Sequence, residues 1–209
     1  MLDDIHIIDD FYENPDALRK LALKTVYKNY GEQQNYPGYE SVKAFYTYDI
    51  VKKFEGILKQ SIVYDPRKFI FGKFRYSVVN DLAKTKIHLD WPVHWTGIVY
   101  LSKDRHNRGG LGIYQHLETG ITRLQASSNF YQQYGCKSIE EFDARYIYPN
   151  SSNLEKWSLI EEIPIKFNRL ILFPGSEYFH SITEQFGNKI EDARLTQNFF
   201  FSTSGNNVC

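Results

Sequence analysis

Near Lys68 this 209-residue chain changes period, from helical spacing before that point to short β-rich runs after it. Phe69–Phe71, Phe74–Val79, Thr96–Leu101, Leu111–Tyr114, Trp157–Ile165, Arg169–Phe173, Tyr178–Thr183 and Arg194–Ser202 are the runs, each closed by turn residues. Strands in succession, preceded by helices rather than alternating with them, predict an antiparallel sandwich or barrel and exclude a parallel doubly wound sheet. The expected class is mainly β with flanking helices (α+β), with a double-stranded β-helix, or jelly roll, as the best fit and the N-terminal helices packed on one sheet.

Ile5–Asp10 reads as a short strand. Asn14-Pro15-Asp16 reads as a helix start, with Asn as N-cap, Pro at the first helical position and an acid in the first turn. Leu18, Leu21, Ala22 and Val26 recur at helical spacing. After a loop over Tyr30–Tyr39, Asp49 is a candidate cap for a second helix with Val51, Phe54, Leu58 and Ile62 on one face. Two amphipathic helices need a surface to cover, and a sheet supplies one. A polar stretch, Gly120–Asn153, interrupts the strands and carries one predicted helix, Ile139–Arg145. No repeat, low-complexity tract or linker divides the chain, so residues 1–209 read as one domain: 1–67 an N-terminal strand and helices, 68–202 the β core with an insert at 120–153.

Hydrophobic residues make up 42% of the chain and aromatics 16%, which allows a core and excludes a disordered chain. Lys plus Arg and Asp plus Glu each number 25, so no general basic field recruits nucleic acid or an anionic membrane. The N-terminus is acidic and lacks the flank and apolar stretch of a secretory signal, and no run of about eighteen apolar residues occurs, so a cytoplasmic protein is expected. Cys136 and Cys209 show neither metal-ligand nor disulfide-framework spacing and read as free thiols.

The chemistry-bearing residues stand at strand mouths. His88-Leu-Asp90 precedes one apolar run, His180 lies within a later one, and Arg194-Leu-Thr196 opens the last. Residues two apart in a strand share a face, so His88 and Asp90 turn inward together while Ile87 and Leu89 turn away. His180 is expected on a strand partnered by Arg169–Phe173 through Pro174-Gly175-Ser176. Two imidazoles and one carboxylate are the ligand set of an open Fe(II) site, and an arginine beyond them can hold a diacid cosubstrate. Trp91, Trp95, Tyr178 and Tyr76 are candidates for the pocket wall or, equally, for the core, and Asn198 shares a face with Arg194 and Thr196. His94 reads as a substrate contact or loop residue, His106 and His116 as exposed, His6 as a strand-surface residue, and Gly109-Gly110 as permitting close strand approach.

In chain order, the segments IHLDWPVHWTGIVYL, GGLGIY, NRLILFPGSEYFHSI and ARLTQNFFF resemble the core strands of the Fe(II)/2-oxoglutarate-dependent dioxygenases, in particular the prolyl-hydroxylase-like branch and small bacterial and phage members of it. The start, IIDDFYENPDALRKLAL and then NYPGYES, is similar too, and only the insert lacks a counterpart. The resemblance implies an oxidoreductase with His88, Asp90 and His180 as catalytic iron ligands, leaving positions for 2-oxoglutarate and O2. It also implies Arg194 against the distal carboxylate of 2-oxoglutarate, Thr196 adding a hydroxyl donor and Tyr100 a phenol. The interval Thr183–Ala193 is longer than in most relatives, and Lys189 within it is the nearby cationic substitute for Arg194.

The implied reaction is hydroxylation of a C–H bond with release of succinate and CO2. Asp90 favours that outcome over halogenation, because the resembling halogenases lack the acid. The expected substrate is a small molecule, an amino acid or a protein side chain, acted on by a monomer or homodimer, with Arg123, Tyr131, Tyr134, Arg145 and Tyr148 of the insert as a candidate lid. The alternative is a catalytically silent jelly-roll protein binding a small acid or sugar. A cupin-type isomerase or hydrolase would want more His and Glu ligands on one hairpin than the chain shows.

Overall fold

The structure, a computed structural model, describes residues 2, 4–31, 34–125 and 127–204; Cys209 lies outside them. Its strands are β1 (His6–Ile8), β2 (Tyr27–Asn29), β3 (Tyr39–Ala44), β4 (Ile62–Val63), β5 (Phe71–Ser77), β6 (Trp95–Tyr100), β7 (Gly110–His116), β8 (Trp157–Pro164), β9 (Leu170–Phe173), β10 (His180–Ile182) and β11 (Arg194–Thr203). Eight form one sheet in the order β1-β9-β6-β11-β5-β3-β2, with β4 on the end of β11, and β10-β7-β8 form the other. The pairings are antiparallel. The protein is therefore mainly β with a few short helices.

Alternation along the strands sorts side chains into layers. On β11, Leu195, Phe199 and Phe201 point outward, where Val99, Leu101, Leu170 and Leu172 join them under helices α1 (Pro15–Lys24) and α2 (Tyr48–Leu58). Phe54 of α2 sits at the centre, with its ring against those of Phe11, Phe71, Phe199 and Phe201. The intervening residues face the smaller sheet: Ile98, Tyr100, Ile171 and Phe173 meet Leu111, Ile113 and Ile163 in the inter-sheet core. Gly110 allows β8 to approach, since a Cβ there would overlap the Ile163 carbonyl.

The helix starts follow local rules with two adjustments. Asn14 caps α1 by accepting from the Ala17 amide at 3.1 Å. The buried stripe of α1 is only in part the expected one: Ala22 is buried and Leu18 packs on the core, but Leu21 and Val26, the latter beyond the helix end, are exposed, and Arg19 is buried instead. Arg19 is tolerated there because its guanidinium donates to the Leu101 and Glu191 carbonyls. Thr47, not Asp49, occupies the cap position of α2, and Ile62 belongs to β4 rather than to the helix.

The insert folds onto the outer face of the smaller sheet. Helices α3 (Ser128–Gln133) and α4 (Ile139–Phe142), with a widened turn over Asp143–Ile147, bury Tyr131, Phe142 and Ile147 against Ile87, Leu89, Tyr114, Trp157 and Phe179. Among the described residues no helix is long and apolar enough to cross a membrane.

Phe54→Ala is expected to cost about 3–5 kcal/mol, read from urea unfolding, because the surrounding rings cannot close the void. Asp9, after β1, accepts hydrogen bonds from Arg169 at 2.7 Å and Lys166 at 2.8 Å, and these bonds, chiefly that from Arg169, pull its carboxyl down to about 2. A folded value below the unfolded one means stability present above about pH 4 and lost as pH falls towards 2. The side chain is 35% exposed, so screening limits the effect to about 1 kcal/mol or less. Asp9→Asn should be less stable by that amount at neutral pH, with the difference from the parent narrowing between about pH 4 and pH 2.

Candidate metal centre

His88 and His180 form an antiparallel backbone pair in which each amide donates to the other's carbonyl, 3.1 Å both ways. Directly opposed residues present their side chains on one face, and the two rings lie 4.7 Å apart between centroids. Asp90, two residues on, shares that face, while Ile87 and Leu89 turn into the apolar cluster beneath the insert. The Asp90 amide donates to the Gly175 carbonyl at 2.9 Å. A Cβ on Gly175 would overlap the Thr96 hydroxyl and crowd Asp90, so this close approach requires glycine.

Two details of the expected local structure change. His88-Leu-Asp90, expected to carry strand geometry, is bridged only at His88. The strand Leu170–Phe173 does not pair with β10 but lies in the larger sheet, and Pro174–Glu177 crosses between sheets, turned by the Glu177 and Tyr178 amides on the Pro174 carbonyl. β10 pairs instead with β7.

Both imidazoles are oriented by backbone. His88 Nδ1 donates to the Lys86 carbonyl and His180 Nδ1 to the Tyr178 carbonyl, each at 2.8 Å. A carbonyl only accepts, so Nδ1 carries a proton and Nε2 faces the centre. His88 Nε2 lies 3.5 Å from Asp90 Oδ1 and His180 Nε2 lies 3.1 Å from Oδ2. One donor atom from each of the three lies within 4.8 Å of the others. The Thr96 hydroxyl donates to Asp90 Oδ2 at 2.7 Å. Burial alone would raise the Asp90 carboxyl, but the charges and hydrogen bonds of His180 and His88 hold it well below the usual carboxylate range. Burial would lower His88, and pairing with Asp90 outweighs it, leaving that imidazole raised. An ionised carboxylate between two oriented imidazoles suits a divalent transition metal.

The three residues border a cavity of about 600 Å³ between the sheets. Arg194 also lines it, is 7% exposed, and makes no salt bridge with the described residues; its Nε has no hydrogen-bond partner among them. Three further buried hydroxyls are unpartnered nearby: that of Ser77, which pairs with Arg194 across β5 and β11; that of Tyr100, whose ring centroid lies 5.3 Å from the Arg194 guanidinium carbon; and that of Thr85 on the cavity wall. Thr196 is fully buried, pairs with Tyr100 across β11 and β6, and accepts from the Asn198 amide at 2.9 Å. Asn198 and Tyr76 line the cavity.

Other candidates lie elsewhere. Trp91 packs against the insert cluster and Trp95 against the helix-side core, while Tyr178 is buried between the sheets beneath Arg123. Lys189 does not line the cavity, and neither do the proposed lid residues Arg123, Tyr131, Tyr134, Arg145 and Tyr148, because the insert covers the opposite face of the smaller sheet. His116, expected at the surface, is fully buried between Thr119 and Asn150, each 3.0 Å away, and burial lowers its pKa. His94 sits beside Glu177 and Ser176, outside the triad. Sequence reasoning passed over Ser77, Arg75, Tyr36 and Lys86 of the cavity wall. Arg75, a cation inside the apolar run Phe74–Val79, was the available signal.

Thr96→Val is expected to weaken Mn(II) binding about 10-fold or more in calorimetric titration, because Asp90 loses the group that orients it. Unchanged affinity would show that Thr96 does not position the carboxylate.

A comparison with curated proteins finds no match. Residues 3–201 match the model of a family described as a family of unknown function, DUF6445, and the chain belongs to that family.

Proposed function

We propose that this protein is an Fe(II)- and 2-oxoglutarate-dependent dioxygenase on a double-stranded β-helix core, hydroxylating a C–H bond of a small molecule, amino acid or protein side chain. The observation that carries the reading is that one cavity holds both a His-Asp-His triad with its Nε2 atoms turned to Asp90 and a buried guanidinium without a counter-charge among the described residues. A buried unpaired charge is costly, so a cavity that keeps one is suited to a ligand bearing the opposite charge.

The residues fit both groups. His88 Nε2, His180 Nε2 and an Asp90 oxygen would hold the metal, and Arg194, with the Tyr100 hydroxyl, would hold the distal carboxylate of the keto acid through charge-assisted hydrogen bonds. When bound together, iron, 2-oxoglutarate and O2 supply a two-electron oxidant for a C–H bond, with succinate and CO2 as co-products. The Lys86 and Tyr178 carbonyls hold the Nδ1 edges, so both imidazoles keep Nε2 toward the centre, where the proton that Nε2 shares with Asp90 would give way to a metal. Thr96 holds Asp90, and Ile98 and Leu111 give the cavity apolar walls that limit water.

Anaerobic titration with Fe(II) and 2-oxoglutarate, followed by visible charge-transfer absorption, is expected to develop a band in the parent. His180→Ala should abolish it by loss of iron. Arg194→Ala should retain iron and raise the keto-acid dissociation constant about 10–100-fold, the worth of a charged hydrogen-bonded contact. Spectra unchanged in both variants would defeat the assignment, and absence of succinate from the parent would favour a binding protein over an enzyme.

A further inference from the structure

Arg75 is a second guanidinium on the cavity wall and has no part in holding metal or keto acid. β5 and β11 pair so that Arg75 faces Thr196 and Ser77 faces Arg194, which makes the two arginines diagonal neighbours on one face. Like charges so placed repel unless each has a partner. Glu40 partners Arg75 through Oε2, at 3.2 Å from Nε and 3.1 Å from Nη2, and Nη1 makes no hydrogen bond with the described residues. Glu40 also binds Lys73, at 2.7 Å through Oε1, so one carboxylate serves two cations. Burial would raise the Glu40 carboxyl, but Arg75 and Lys73 hold it below its ordinary value; the carboxylate is ionised and the cluster keeps one net positive charge.

The cation is also fixed in place. Its guanidinium carbon lies 3.4 Å from the centroid of the Tyr36 ring, whose hydroxyl donates to Glu40 at 2.9 Å, and 5.3 Å from that of Phe200. A planar fork held this way loses little freedom on binding an anion. Tyr36, Phe200 and Leu82 line the same cavity, whose volume of about 600 Å³ falls in the range that encloses drug-sized ligands and exceeds what 2-oxoglutarate alone fills.

We propose that Arg75 binds an oxyanion of the primary substrate, which is therefore a small molecule carrying a carboxylate or phosphate next to an apolar or aromatic group that lies against Tyr36 and Phe200. This rests on the reading that Arg194 is taken by the keto acid.

The test titrates the full chain, loaded with Mn(II) and 2-oxoglutarate, with phenylpropionate, phenyl phosphate and uncharged phenylpropanol in a calorimeter. At least one anion is expected to bind about tenfold or more tightly than the alcohol, as a charged hydrogen-bonded contact requires, and the order of the two anions identifies the oxyanion. Arg75→Gln should remove that advantage while leaving 2-oxoglutarate affinity within about twofold, and Arg75→Lys, which keeps a charge beside Glu40 but not the planar fork, should reduce it at least about threefold. Thermal melts report folding; if Arg75→Gln does not fold, Arg75→Lys alone decides, since a merely structural cation would leave the preference as in the parent. Equal binding of anions and alcohol, binding of none, or a preference unaltered by the variants overturns the proposal. Separate titration with 2-oxoglutarate distinguishes the two readings: a parent that does not bind it, yet shows Arg75-dependent binding of either anion, overturns the oxygenase and leaves the oxyanion subsite standing.

Discussion

The centre depends on the reciprocal backbone pair between His88 and His180. Two hydrogen bonds tie a segment with little regular structure of its own to a three-residue edge strand and set the register between them. A slip of one residue would exchange His88 and Asp90 for Ile87 and Leu89, turning a ligand set into an apolar face. The apolar cluster beneath the insert opposes such a slip, because Ile87, Leu89 and Phe179 are buried in it. The insert thus acts on the site mainly from behind, through register, and of its described residues Ser152 alone reaches the cavity wall.

The larger sheet separates two duties by alternation. Its outer face, with the Phe54 cluster, is apolar and carries the packing under the helices. Its inner face is apolar where it meets the smaller sheet and polar along β5 and β11, where Arg75, Ser77, Arg194 and Asn198 border the cavity. One polar residue on the outer face of β11, Gln197, is satisfied by the Tyr12 hydroxyl and the Gly72 carbonyl. Four of the seven unpartnered buried side-chain atoms among the described residues, on Ser77, Thr85, Tyr100 and Arg194, lie around the cavity, and the others, on Trp95, Asn107 and Thr203, lie elsewhere. Unsatisfied groups gathered in one place point to a ligand more strongly than the same number scattered through a core.

Strands with clean alternation or continuous apolar runs were legible from local pattern: β6, β8, β9 and β11 fall within a residue or two of expectation. β3 was not, because Glu40 and Ser41 are its buried residues, and Glu40 is buried only because Lys73 and Arg75 reach it from the neighbouring strand. Half of the stripe on α1 was legible, in Leu18 and Ala22, and Arg19 was not for a similar reason, since it is buried by carbonyls belonging to distant segments. His116 has the same history, its partners being Thr119 and an asparagine of the insert. In each case a polar residue is inside because of a partner that periodicity cannot report.

From residue order alone came the antiparallel β class, the helical layer before it, and the His-x-Asp, His and Arg candidates, since strand period and ligand chemistry are local properties. Tertiary structure decided which of these meet. It placed β9 and β10 in different sheets, brought His88 opposite His180, left Arg194 buried without a counter-charge among the described residues, and set Trp91, Trp95 and Tyr178 away from the cavity. Those outcomes depend on pairing and burial between segments far apart in the chain, and no spacing along the backbone encodes them.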